Sequence, residues 1–268
     1  MTADAALRFS ELTVLGYVIA ILSCFLLPAA AFCLLRKYRA GSIAAVIIGA
    51  AVYLLVTRLN DIGVQLLFRG QSHANLTVLA AETVCYWEEL GRWLAMRYPV
   101  TGIRSPGAAV SYGIGHAGME MILRGAQKCS ILGMGLRLNR EGITAFTAGL
   151  DTDRAASVTA QLAGYAAHHF LCSVLNSLEA AVLFCVHIAL SLLIYRGIRT
   201  ETSRKTLPAA MGLHLLVNLC GWLVSFSGSD ALRSLAGICV GAVVIWIAMK
   251  LADGWEMLDE IRYPMETE

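Results

Sequence analysis

The chain has 268 residues, 57% of them hydrophobic and 15% charged, with a formal net charge of +2 and a mean hydropathy of +0.65. Soluble domains carry about 25% charged residues, so the composition points to an all-α, polytopic membrane bundle rather than a soluble fold. The small net charge and the lack of a basic block exclude nucleic acid as a partner.

About seven spans are read in chain order, over 13–35, 41–57 (or on to 68), 75–96, 107–124, 176–196, 207–227 and 231–250. Each is close to the ~20 residues that cross a hydrocarbon core. The start, MTADAALRFSELT, lacks the basic stretch of a cleavable signal, and the first apolar run is span-length. Arg36, Lys37 and Arg39 follow the first span, Arg97 and Arg104 the third, and Arg196, Arg199, Arg204 and Lys205 the fifth. Short basic loops stay cytoplasmic, which places the N-terminus outside and the C-terminus inside the cell membrane. Residues 125–175 break the pattern with Arg137, Arg140, Glu141, Asp151, Asp153 and Arg154 among glycines. They read as an external segment with one or two amphipathic helices at the interface. A short extra span over 157–175 is the alternative, but it would invert the charge pattern of everything after it. No repeat or composition shift divides residues 1–268, so one membrane domain is expected. The eight cysteines lack CxxC or metal-type spacing and read as packing residues.

The informative residues are those that lipid rejects. The third span holds Glu88, Glu89 and Arg92, the fourth His116 and Glu120, the fifth Asn176, Glu179 and His187, and the sixth His214 and Asn218. Ionisable groups inside spans are costly, and they usually face a polar interior and carry function. Glu88 with Arg92, His116 with Glu120, and His214 with Asn218 are each four apart and share a helical face. Any one pair alone could be a packing contact. Gly107, Ala108, Ala109, Ser111, Gly113, Gly115, Ala117 and Gly118 surround His116, and small residues let membrane helices approach closely. Counted from the expected cytoplasmic ends, Glu88, His116, His187 and His214 lie seven to nine residues deep. That is about 10–14 Å at the helical rise. Four unrelated packing residues have little reason to coincide, so a shared site is expected.

Two carboxylates, three imidazoles and an amide make a hydrolytic set. Neighbouring Glu88 and Glu89 point about 100° apart; Glu88 is assigned the chemistry and Glu89 its support. A partly dehydrated glutamate serves as general base on water, while histidines and Asn218 donate to a developing oxyanion. In the metal-dependent version His116, Glu120 and a further histidine, His187 or His214, would hold one zinc ion, leaving Glu88 as base. The metal-free version needs no cofactor, and Arg92 beside the base favours it. HExxH and HxxEH are missing, so a direct zincin reading is weak, and without Gly-x-Ser-x-Gly or Gly-x-Gly-Asp serine rhomboid and aspartyl chemistry have no support.

Glu88-Glu89-x-x-Arg92, Gly113-x-Gly115-His116-x-x-x-Glu120, the Glu179…His187 span and His214-x-x-x-Asn218 resemble the YhfC family of bacterial intramembrane peptidases. The chain is distantly similar to the CAAX-protease, bacteriocin-processing and PrsW membrane proteases. The resemblance implies an intramembrane endopeptidase acting on a membrane protein or peptide, with Glu88 activating water, as either a glutamic-type or a metal-dependent protease. Rival readings are a proton-coupled transporter, which would show inverted repeats and broken helices, an inactive scaffolding relative, and a haem protein.

Overall fold

A computed structural model describes residues 7–98 and 101–262, and these form ten helices with no strand among the described residues. They are α1 (Glu11–Lys37), α2 (Ile43–Leu67), α3 (His73–Arg97), α4 (Pro106–Glu141), α5 (Thr144–Thr147), α6 (Thr152–Ala166), α7 (Phe170–Arg199), α8 (Ser203–Ser225), α9 (Asp230–Leu251) and α10 (Gly254–Arg262). Most starts follow from local chemistry. Ser10, Ser42, Ser72, Ser105, Asp151 and Ser229 each accept a hydrogen bond from a backbone N–H in the first turn, which satisfies one of the donors a helix leaves free there.

Five helices, α1, α2, α7, α8 and α9, are long and apolar enough to cross a membrane. With α3 and α4, which are long enough but carry the polar residues of interest, the bundle has about seven spans. Leu12, Leu26, Ile47, Leu55, Leu216 and Leu223 point outward, as lipid-facing residues do. Helices α2, α3, α8, α9, α7 and α4 pack each against the next and close a ring, with α1 seated outside on α4 and α7. Near the cytoplasmic end expected from the sequence, α7 is enclosed on all sides: Leu190, Leu192, Leu193 and Ile194 are fully buried. A helix surrounded by protein can hold a histidine that never meets lipid.

The α4 glycines are close-approach positions. A Cβ on Gly115 would collide with the Val46 carbonyl of α2, and one on Gly49 with the Tyr112 carbonyl of α4. A Cβ on Gly113 would sit 2.9 Å from the Ile188 Cα of α7. Backbones this near bring the α4 side chains into contact with both neighbours.

Residues 125–175 are arranged differently from the expectation. Instead of ending near 124, α4 continues unbroken to Glu141, 36 residues or about 54 Å. Gly125 and Gly135 lie where the helix meets Phe25 and Phe9. Phe9, Tyr17, Leu138 and Leu162 form a separate apolar cluster at this end. The amphipathic helix expected here is α6. It stops at Ala166, and α7 begins at Phe170, so no single helix covers 157–175. The second span takes its longer form, to Leu67. The C-terminal helix α10 had no sequence signal; Arg196 pairs with Asp253, before it, and Arg199 with Glu260, within it. All eight cysteines are free.

Candidate active site

Three imidazoles converge on one carboxylate oxygen. Glu88 Oε2, on α3, lies 3.2 Å from His116 Nε2 of α4, 3.7 Å from His214 Nε2 of α8 and 3.9 Å from His187 Nδ1 of α7. The His116 and His187 rings are 5.1 Å apart, and those of His187 and His214 5.0 Å. Glu88, Glu89, Arg92, His116, His187 and His214 are all buried. The four residues placed at one depth by counting along the helices therefore meet.

The partners around them set the protonation pattern. Glu89 Oε1 accepts from His214 Nδ1 at 2.9 Å and faces Arg92 Nη2 at 3.5 Å. An ionised carboxylate only accepts, so Nδ1 of His214 carries the hydrogen and Nε2 holds a lone pair. Arg92 donates through Nη1 to the His187 carbonyl at 2.8 Å, and its Nη2 lies 3.1 Å from His187 Nδ1. A guanidinium only donates, so Nδ1 of His187 also holds a lone pair, and Nε2–H points to Glu120 Oε2 at 3.1 Å. These tautomers are assigned from the partners. As a result the His214 Nε2 lone pair faces Glu88 Oε2 at 3.7 Å with no donor between them, while the His187 Nδ1 lone pair is met by Arg92. The His214 nitrogen and the Glu88 oxygen, both acceptors, favour a cation or proton shared between them.

Glu88, His187 and His214 each offer a donor atom, and these atoms lie within 4.8 Å of one another. Two histidines and one carboxylate is a donor set of hydrolytic zinc. The carboxylate on the far nitrogen of His214 is the outer arrangement that orients metal-binding histidines. The residues fit a divalent metal ion.

A cavity of about 530 Å³ opens beside this cluster. Glu88, Glu120, His187, His214 and Asn218 line it, whereas His116 is fully buried behind Glu88. Of the two glutamates that spacing puts within reach of Arg92, it meets Glu89, three residues away, while Glu88 is turned toward the imidazoles. Two sequence pairings turn out differently. Glu120 diverges from His116 to bind His187 and, at 2.5 Å, Arg124. Asn218 donates to the Ala81 carbonyl at 3.1 Å and makes no hydrogen bond to His214. Sequence reasoning passed over Tyr53, Thr57, Glu82, Arg124, Trp222 and Arg233 on the cavity wall. Glu82 was findable, as a further carboxylate in an apolar span; Tyr53, whose ring meets His116 edge-on at 5.2 Å, was not.

The family model described as YhfC intramembrane metalloprotease matches residues 23–231. The chain belongs to that family. It is therefore a membrane-embedded protease, and the family's description points to a metal. No curated protein and no solved structure matches the chain.

Proposed function

We propose that the chain hydrolyses peptide bonds of membrane proteins or peptides at the Glu88–His116–His187–His214 cluster, with Glu88 activating water. The single observation that carries this reading is the convergence of the three imidazoles on Glu88 Oε2. The other oxygen, Oε1, makes no hydrogen bond and is not among the buried unpartnered atoms, so it is free toward the cavity.

His187 Nδ1, His214 Nε2 and Glu88 Oε2 would hold one zinc ion. When bound, the ion supplies Lewis acidity to the scissile carbonyl and to water. Arg92 would then release the His187 nitrogen while keeping the His187 carbonyl and Glu89. Glu88 Oε1 takes a proton from the attacking water and returns it to the leaving amine. His116 Nε2–H, directed at Oε2, fixes the carboxylate plane. Asn218, on the wall, orients the substrate backbone. Glu120 fixes the His187 ring from its far nitrogen and is itself neutralised by Arg124.

The same reading places the N-terminus outside and the C-terminus in the cytoplasm, because the turns after α1, α3 and α7 carry the basic residues. The test of function is cleavage of reconstituted transmembrane peptides by the full chain. Wild type should cut, and Glu88→Gln, which keeps size but cannot accept a proton, should not. Cleavage by Glu88→Gln at the wild-type rate would overturn the assignment.

A further inference from the structure

The cavity extends from the imidazoles toward the end of the bundle that carries the α2–α3 and α8–α9 turns, reaching Thr57, Val78, Trp222 and Ser225. Its wall holds four carboxylates, Glu82, Glu88, Glu120 and Glu179, against two guanidinium groups, Arg124 and Arg233. Both cations are already engaged. Arg124 is paired with Glu120, and Arg233 lies 3.4 Å from Asp230. Of the carboxylates, Glu88 faces three histidines, Glu120 meets Arg124 and His187, and Glu179 accepts from Ser234 at 2.8 Å. Glu82 is different. It makes no side-chain hydrogen bond and no ion pair among the described residues, and its Oε2 is buried without a partner. A carboxylate left alone in a membrane span is costly to keep, and this one fronts a cavity whose formal charge is already negative.

We propose that Glu82 is a substrate subsite that receives a basic side chain, lysine or arginine, of the peptide being cut. The proposal rests on the peptidase reading of the site. Glu82 precedes Glu88 by six residues on one helix, about 9 Å along its axis. An extended peptide advances about 3.3 Å per residue, so the basic residue would sit about three residues from the scissile bond. Val84 and Val217 line the way and suit the methylene stem. Trp222 lines the same cavity, and an indole ring attracts such a cation.

The test uses the full-length protein in proteoliposomes and labelled transmembrane peptides. One lysine, or norleucine of similar length without charge, is walked through the sequence. Binding is measured in the Glu88→Gln background, where nothing is cut. At one register lysine should bind about tenfold more tightly than norleucine, the ratio a charge-assisted hydrogen bond supplies. Adding Glu82→Gln should erase that ratio, and Glu82→Lys should shift the preference at that register to glutamate. The proposal is overturned if no register separates lysine from norleucine, including the case in which no peptide binds, or if the preference survives Glu82→Gln. Cleavage by the chain carrying Glu88 is scored separately. Cutting without lysine preference removes the subsite alone, whereas lysine-specific binding without cutting removes the peptidase reading.

Discussion

Two kinds of buried polar contact hold this bundle together. Away from the centre, two of them are neutral and closed. Asn60 of α2 donates to the Ala80 carbonyl at 2.8 Å and accepts from Thr83 at 2.9 Å. Asn139 of α4 donates to the Phe9 carbonyl and accepts from the Phe9 N–H, both at 2.8 Å. At the centre the groups are ionisable and the accounts stay open. Glu89 Oε2, Arg92 Nε and His116 Nδ1 are buried with no hydrogen-bond partner, and the His214 Nε2 lone pair faces the Glu88 carboxylate. Amides that satisfy each other fasten helices, while charges left short of partners wait for a ligand.

Substitutions sharpen the contrast, beginning with the greatest effect. Glu88→Gln should lower kcat/KM by about a thousandfold, within the range of lost general-base catalysis, while the thermal unfolding midpoint in detergent stays near wild type. A collapse of the midpoint in step with activity would make the centre merely structural. Glu89→Gln removes the strong acceptor behind His214 and should weaken zinc affinity by about ten- to a hundredfold, read by competition with a chelator. Unchanged affinity would break the link between Glu89 and the metal.

The closed networks should respond in the opposite sense. Asn60→Ala removes the bonds to the Ala80 carbonyl and the Thr83 hydroxyl, which keeps the Leu79 carbonyl, and should cost about 1 kcal/mol of stability. The folded fraction should keep its kcat. Asn139→Ala at the α1–α4 end should cost about 1–2 kcal/mol, with no change in zinc binding. Loss of kcat in either variant, at full folding, would erase the distinction between the two regions.

What could be read from the sequence follows the same division. Carboxylates and histidines stand out in apolar spans because lipid penalises them, so Glu88, His116, His187 and His214 were visible together with their depth. Their partners were less so. Residues three and four apart share a face, so spacing alone could not choose between Glu88 and Glu89 for Arg92, and the answer depends on imidazoles from three other helices. The charges and glycines of 125–175 suggest an end to the fourth span near 124, yet Gly125 and Gly135 carry α4 past Phe25 and Phe9, because a glycine at a close contact and a glycine in a turn look alike in a sequence. Asn60 and Tyr53 gave no signal, being ordinary residues for a packed helix.

The most direct measurement is cleavage of a transmembrane peptide by the full chain as a function of zinc bound per chain, in wild type and His214→Ala. The account predicts that cleavage falls to background as chelation strips one zinc per chain, returns when zinc is restored, and that His214→Ala neither holds the ion nor cuts. A fully chelated wild-type protein that still cleaves at its original rate would contradict it.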